Sequence, residues 1–141
     1  MTANELFEIK VTYVLYASPA DVYRCLTSVE IIEEWSEAPA KFEPFQDGNY
    51  SLFDNTITGQ IMALEQDEKI VLTWRQSQWT KKMASSVAMI ELSPDRAGTV
   101  VVITHTLLPS ADIAEGHHQG WIDKILEPLN DYLIEYDSQE G

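Results

Sequence analysis

The C-terminal stretch of residues 112–136, DIAEGHHQGWIDKILEPLNDYLIEY, constrains the fold more than any other part of the chain. Its apolar side chains recur at spacings of three and four residues, which predicts one long helix with a wide apolar face. Asp112 is the predicted N-cap, with Glu115 as its capping-box partner. Pro128 lies inside the predicted helix and cannot donate a backbone hydrogen bond, so we expect a kink there. The wide apolar face requires an equally apolar surface to pack against.

The residues before this helix are typical mostly of β-strands. Residues 6–18 alternate apolar and polar side chains, as a half-buried strand does. Ser18 and Pro19 predict the start of a short helix, and Ser28 predicts the cap of a second one. Segments with short turns follow up to residue 108, which indicates about six more strands with antiparallel pairing. The predicted class is therefore α+β, in the order β-α-α-β(5–6)-α, with a curved antiparallel sheet of about six to seven strands around a long C-terminal helix.

One hairpin, residues 57–76, carries more specific predictions. Ile57, Gly59, Ile61 and Ala63 alternate and are expected to share one face of its first strand. Gly59 inside a strand indicates a β-bulge or a close approach of another backbone.

Length and charge narrow the class of protein. With 141 residues, of which 45% are hydrophobic, the chain is expected to form one domain over residues 1–141. The formal net charge of -14 opposes phosphate backbones and anionic lipids, so we expect no nucleic-acid partner and no membrane partner. The N-terminal residues lack the basic cluster of a signal peptide, and the single cysteine, Cys25, agrees with a reducing compartment. These features predict a cytoplasmic protein.

Five ordered segments resemble the C-terminal domain of the activator of Hsp90 ATPase, the Aha1 family, within the START and Bet v 1-like (SRPBCC) superfamily. They are LFDNTITGQ at 52–60, IVLTWR at 70–75, SSVAMIEL at 85–92, GTVVVITH at 98–105 and QGW at 119–121. The resemblance implies the helix-grip fold, in which the sheet closes around a long helix and leaves a hollow between them. Family members usually carry a glycine in the turn after Phe53, where this chain has Asn55. Asparagine also tolerates left-handed backbone geometry, so we expect the turn to be preserved.

The same resemblance implies a candidate protein partner. Eukaryotic members carry a separate N-terminal domain that makes the main stimulatory contact with Hsp90, and these 141 residues leave no room for it. The resemblance therefore implies a shared domain and an Hsp90-type chaperone as a candidate partner, without implying ATPase activation.

The hollow is the first candidate site, and it would bind a small apolar ligand. His105 shares a strand face with Ile103 and could orient a ligand, although a lone histidine on an apolar face is usually a hydrogen-bonded core residue. Gly116 and Gly120 lie on one helix face and indicate either close packing or space for a ligand. The predicted ligand-binding residues are Tyr13, Trp35, Phe53, Trp74, Ile103, His105, Trp121, Ile125 and Leu129.

The second candidate site is an outer surface that would contact a chaperone. Trp79 lies in a polar, basic loop, where it would cap the hollow or serve as an exposed anchor for a partner. The predicted partner surface comprises Glu33 and Glu34 on the second short helix, together with Arg75, Trp79, Lys81 and Lys82.

Catalysis is a third hypothesis with less support. A polyketide cyclase or aromatase-like enzyme would need acid and base groups in the hollow, where only His105 is available. The sequence has no HExxH motif, cysteine cluster, phosphate loop or dinucleotide fingerprint. His117 and His118 are neighbours on a helix and point in different directions, which makes them a poor metal pair. We therefore expect no metal, no cofactor and no enzymatic activity.

Overall fold

A computed structural model describes residues 6–140, with side chains described through residue 136. Residues 1–5, on which part of the signal-peptide prediction rests, lie outside this range. The elements, in chain order, are β1 (Phe7–Leu15), α1 (Pro19–Thr27), α2 (Val29–Ser36), β2 (Lys41–Phe42), β3 (Asn49–Leu52), β4 (Ile57–Glu65), β5 (Lys69–Gln76), β6 (Ser86–Asp95), β7 (Gly98–Leu108), α3 (Ala111–Gly120), a π-helical segment (Trp121–Leu126) and α4 (Glu127–Glu140).

The strands form one seven-stranded sheet in the order β1-β7-β6-β5-β4-β3-β2. Every neighbouring pair is antiparallel: each strand from β3 to β7 pairs with the strand before it in the chain, and β1 pairs with the free side of β7. Along β5 the buried positions are Ile70, Leu72 and Trp74, as the alternation predicts. This is the predicted α+β helix-grip architecture, with the core between the inner face of the sheet and the helices.

The predicted face assignment in β4 is wrong beyond Ile61. The register shifts between Ile61 and Ala63, so Leu64 takes the inward position opposite Ile70. Such an irregularity increases local twist and bends the strand, which favours a sheet that closes around a helix.

Gly59 allows a close backbone approach and does not itself carry the register shift. A Cβ atom at this position would lie 2.1 Å from the carbonyl oxygen of Thr73 on β5. That same carbonyl accepts a hydrogen bond of 2.5 Å from the Tyr50 hydroxyl, whose strand pairs with Gly59. The glycine therefore lets three strands meet closely at one point.

The predicted cap of the C-terminal helix is wrong by two residues. Ser110 is the N-cap, since its Oγ accepts a hydrogen bond of 3.1 Å from the backbone N–H of Ile113. Asp112 lies in the first helical turn, where its charge favours the helix dipole. The cap of α1 is as predicted, with Ser18 Oγ accepting from the Asp21 N–H at 3.2 Å.

The interruption expected at Pro128 takes the form of the π-helical segment just before it. The backbone N–H of Glu127 donates to the carbonyl of Ile122, five residues back instead of four. A wider turn suits the approach to a proline, because proline has no N–H and its ring would clash with the carbonyl four residues earlier. The C-terminal helix is therefore continuous in space but changes its winding where it faces the sheet.

Within the described residues, none of the helices combines the length and apolar character needed to cross a membrane.

Candidate functional site

A cavity of about 640 Å³ lies between the sheet, the end of α2 and the C-terminal helix. Its volume falls within the range of small-molecule sites in proteins. The helix side is formed by α3, the π-helical segment and the start of α4, and the sheet side by β4, β5 and the turn that precedes β4. The lining residues are Trp35, Ser36, Glu37, Phe53, Thr56, Ile57, Trp74, Gln76, Ile113, Gly116, His117, Gly120, Trp121, Lys124, Ile125 and Pro128.

Five of the nine predicted ligand-binding residues line this cavity: Trp35, Phe53, Trp74, Trp121 and Ile125. The three tryptophans form its floor, since each is no more than 6% exposed. Phe53 is half-buried and belongs to its wall.

The other four predicted residues do not line the cavity. Ile103, His105 and Leu129 are at most 1% exposed and belong to the packed core. Tyr13 lies on β1, where burial and the nearby charges of Glu127 and Asp131 raise its pKa. The prediction failed for these four because a shared strand or helix face does not show how deep each side chain lies.

The helix contributes several lining residues that the sequence prediction did not include. Ile113, Gly116, Gly120, Lys124 and Pro128 follow the same three- and four-residue spacing as Trp121 and Ile125, and this spacing was the signal available for them. Of the two interpretations of the glycines, open space is correct. A Cβ atom at Gly116 or Gly120 would meet nothing within 4 Å.

Two histidines, His117 in the cavity lining and His105 in the core below it, hold two of the tryptophans by hydrogen bonds. The Trp74 indole N–H donates to His117 Nε2 at 3.0 Å, and His117 Nδ1–H donates to the Ile113 carbonyl at 2.9 Å. The Trp121 indole N–H donates to His105 Nδ1 at 3.0 Å. The rings of Trp74 and Trp121 lie 4.8 Å apart, so the two indoles also contact each other.

This network assigns a tautomer to each histidine, because a nitrogen that accepts an indole N–H must carry a lone pair. His117 is protonated on Nδ1 and His105 on Nε2. His105 Nε2–H then donates to Ser86 Oγ at 2.7 Å, and the Ser86 hydroxyl donates to the Trp74 carbonyl at 3.0 Å. Each polar atom in the network has a partner only while both imidazoles are neutral.

Burial favours this neutral state. It lowers the pKa of His105 to about 3, and the neighbouring His117 contributes to the shift. Burial also lowers the pKa of His117, partly opposed by its hydrogen bond to the Ile113 carbonyl. The two rings are 5.1 Å apart and perpendicular, so a positive charge on one would disfavour a charge on the other.

The third floor tryptophan also has its N–H bonded within the protein. The Trp35 indole N–H donates to the Cys25 carbonyl at 2.9 Å. In the part of the chain with described side chains, no buried side-chain nitrogen or oxygen lacks a hydrogen-bond partner. The floor therefore presents indole rings to the cavity while their N–H groups are already bonded elsewhere.

Phe53 is held at the cavity by an unusual turn. Phe53, Asp54 and Asn55 have φ angles of 52°, 53° and 66°, so three consecutive non-glycine residues are left-handed. Such geometry costs about 1–2 kcal/mol per residue and persists where the surroundings enforce it. Asn55 adopts the left-handed conformation that we expected at this position, where family members usually carry glycine. The strain is located next to a cavity wall.

The residues of the predicted partner surface differ in their exposure. Trp79 is 7% exposed, its N–H donates to Gln76 Oε1 at 3.1 Å, and its ring centroid lies 6.0 Å from that of His117. The prediction of an exposed anchor is therefore wrong, because Trp79 packs inward behind the cavity. The Arg75 guanidinium donates to the carbonyls of Thr80 and Met83, so it organises the loop.

The remaining residues of that surface are exposed. Lys81 and Lys82 lie in the loop, and Glu33 and Glu34 lie on α2. Glu33 Oε2 also accepts a hydrogen bond of 3.1 Å from the Ala40 N–H, which fixes the chain after α2. Burial raises the pKa of Tyr132 on α4 to about 12, and its hydrogen bond to Glu34 adds to this shift.

Cys25 lies on the far side of α1 from solvent, beside a smaller cavity of about 250 Å³. It is 1% exposed, and burial raises the pKa of its thiol to about 11. No group of three or more histidine, cysteine, aspartate or glutamate residues in the described range is arranged to hold a metal ion.

The sheet topology, the C-terminal helix and the cavity between them define a helix-grip protein of the Bet v 1-like class. Solved structures with this fold include an HSP90 activator from Plasmodium falciparum, with a TM-score of 0.78, 24% identity, and coverage of 91% of this chain and 95% of that one. Another is an Aha1 dimer from Colwellia psychrerythraea, with a TM-score of 0.75, 16% identity, and coverage of 89% and 94%. At these identities the likeness shows the fold.

The sequence shows the family. The model of the family described as activator of Hsp90 ATPase homolog 1-like protein matches residues 16–133, so the chain belongs to that family. An activator of 90 kDa heat shock protein ATPase homolog from Dictyostelium discoideum is 29% identical over 122 residues, which cover 86% of this chain and 31% of the relative. Homolog 1 from Homo sapiens is 25% identical over 104 residues, which cover 74% and 30%. The chain thus spans about a third of the length of these curated relatives.

Proposed function

We propose that this protein binds a small apolar ligand in the cavity between the sheet and the C-terminal helix, and that it does so without catalysing a reaction. The observation that carries the proposal is the cavity of about 640 Å³ with Trp35, Trp74 and Trp121 at its floor. Aromatic floors supply large contact areas for apolar molecules. The open space at Gly116 and Gly120 widens the cavity on the helix side.

The same geometry argues against general acid or base catalysis. His105 is fully buried, and both of its ring nitrogens are occupied by Ser86 and Trp121. His117 reaches the cavity but also has both nitrogens bonded. The cyclase hypothesis depended on His105, and the burial of that residue argues against such a role.

A thermal-shift screen with small apolar compounds tests the proposal. A ligand present at 100 times its Kd stabilises the folded state by about 2.7 kcal/mol, which for a chain of this size raises the Tm by about 8 °C. The proposal fails if no class of apolar compound raises the Tm. A polyketide-like substrate that is converted, with conversion lost in His105→Ala, would contradict the non-catalytic part.

Association with an Hsp90-type chaperone in the cytosol is a second candidate function, favoured by the family and by the names of its relatives. Its candidate surface comprises the exposed residues Glu34, Lys81 and Lys82, because Trp79 is buried and the Arg75 guanidinium is bonded to the carbonyls of Thr80 and Met83. Glu33 is kept unchanged in tests because its carboxylate binds the Ala40 N–H.

Pull-down with an Hsp90-type chaperone, at low and high salt, tests this second function. We expect a salt-sensitive complex that weakens in Glu34→Lys and in Lys81→Glu/Lys82→Glu, because exposed charges steer association. Glu115→Lys, at an exposed position of α3, is the matched control and should leave the complex unchanged. A complex that survives both charge reversals would exclude these surfaces.

A further inference from the structure

The hydrogen-bonding state of the cavity floor restricts the kind of ligand that fits. All three floor tryptophans have their indole N–H groups bonded inside the protein, to His117, His105 and the Cys25 carbonyl. A ligand polar group placed on these rings would lose its hydrogen bonds to water and find none of the three indole N–H groups free. Burying a polar group without a partner is unfavourable, so the floor discriminates against it.

The side of the floor away from the cavity supports the same conclusion. A void of about 30 Å³ lies behind Trp35, Trp74 and Trp121, and its other walls are aliphatic side chains and the rings of Phe42 and Tyr50. The Tyr50 hydroxyl is bonded to the Thr73 carbonyl and does not serve the void. Around this void the floor is thus backed by apolar side chains.

Charged groups occur only at the cavity mouth. Glu37, which directly follows α2, and Lys124, in the π-helical segment, line it from opposite sides, and both are exposed. In the described part of the chain, neither belongs to an ion pair. A polar substituent on a ligand can therefore remain hydrated at the mouth while the body of the ligand rests on the indoles.

We propose that the cavity selects a flat, hydrogen-bond-poor aromatic ring system, and that His117 sets this specificity by keeping the Trp74 indole N–H occupied. The inference rests on the proposed ligand-binding function and adds the chemical class of the ligand. His117 is the residue singled out because it both lines the cavity and accepts the Trp74 N–H at 3.0 Å. Removing its imidazole would expose that donor to the cavity.

The test compares naphthalene with quinoline, which has the same shape but carries a ring nitrogen that accepts a hydrogen bond. Both are titrated at a pH of about 8, where quinoline is neutral, into the wild-type protein and into His117→Ala. We expect the wild type to favour naphthalene, and the ratio of the two affinities to shift toward quinoline by at least about fivefold in His117→Ala, since the freed indole N–H gains an acceptor. The difference in hydration of the two probes cancels in this comparison.

Two further variants serve as controls. His117→Gln retains an acceptor near the position of Nε2, so its affinity ratio should stay close to that of the wild type. His118→Ala removes the adjacent, exposed imidazole and should have no effect on the ratio. An affinity ratio that is the same in wild type and His117→Ala overturns the inference while leaving the proposed function intact. Failure of both probes to bind the wild type overturns the inference, whereas the proposed function fails only if the wider screen of apolar compounds also finds no ligand.

A measurement on the wild-type protein alone covers the case in which His117→Ala does not fold. In ¹H–¹⁵N spectra, quinoline and naphthalene should cause similar chemical-shift changes of the Trp74 indole N–H, because both would act only through ring-current effects. A downfield shift specific to quinoline would show that this N–H donates to the ligand, and would overturn the inference.

Discussion

The two buried histidines lead to a quantitative prediction about stability at acidic pH. His105 has a folded-state pKa of about 3 against an ordinary value of 6.5. Because the folded pKa is lowered, the unfolded chain takes up the proton first as the pH falls. The stability that neutral His105 contributes is therefore complete above about pH 6.5 and is lost progressively as the pH falls toward about 3.

The magnitude follows from the size of this shift. One pKa unit corresponds to about 1.4 kcal/mol, so over the steep part of the titration the free energy of unfolding falls by about 1.4 kcal/mol per pH unit for this histidine. Between about pH 7 and about pH 4.5 the loss sums to about 2–3 kcal/mol. The same acidification protonates carboxylates in a protein of net charge -14, which changes stability independently.

The assay therefore measures a difference between two proteins. The free energy of unfolding is determined by urea titration at several pH values for the wild type and for His105→Gln, whose side chain offers a donor and an acceptor but does not titrate in this range. We expect the variant to be less stable at pH 7 and its stability to fall less steeply with acidification, so that the gap narrows by about 2 kcal/mol by pH 4.5. His118→Gln, which removes an exposed imidazole, is the control. Parallel pH profiles for the wild type and His105→Gln would refute the neutral, buried network.

Three further predictions concern individual positions. Gly59→Ala should destabilise the protein by several kcal/mol, because a Cβ there would lie 2.1 Å from the Thr73 carbonyl oxygen. Gly116→Ala should stabilise it by about 0.5–1 kcal/mol, since a Cβ there meets nothing and alanine favours the helix. Urea titration measures both free energies of unfolding, and equal effects would contradict the described strand packing. Cys25 should resist aromatic disulfide reagents at about pH 8 in the folded state and react in urea, because its thiol is buried and has a pKa of about 11; rapid labelling of the folded protein would contradict its placement. Ser110→Ala should cost about 1 kcal/mol and Asp112→Ala less, and the reverse order would restore Asp112 as the cap of α3.

The fold was predictable because its signals are local. Alternation over residues 6–18 and the Ser18–Pro19 start of α1 each depend on neighbours a few residues away, and both agree with the structure. The register shift after Ile61 depends on how β4 meets β5, so the alternation alone placed Ala63 wrongly. The π-helical segment likewise depends on how the turn before Pro128 packs. It was not predicted, because the periodicity of apolar residues shows only that side chains share a face of the helix.

The candidate site was predictable in outline but not in its hydrogen bonding. Apolar spacing identified Trp121 and Ile125, and strand alternation identified Trp74. The contact between Trp74 and His117 joins residues 43 positions apart, and no local pattern encodes such a pair. Trp79 was misplaced for a related reason, since a polar loop sequence does not reveal that Gln76 turns its side chain to receive the indole.

Titration of naphthalene into a cavity-filled variant tests the central claim most directly. Gly116→Leu/Gly120→Leu places two side chains into space that is open on the helix side of the cavity, and His118→Leu adds the same residue type at an exposed position of the same helix. Isothermal titration should show binding to the wild type and to His118→Leu, and a loss of at least tenfold in affinity for the filled variant with its Tm unchanged or raised. Equal affinity of all three proteins would place the ligand elsewhere and contradict the assignment of the cavity as the functional site.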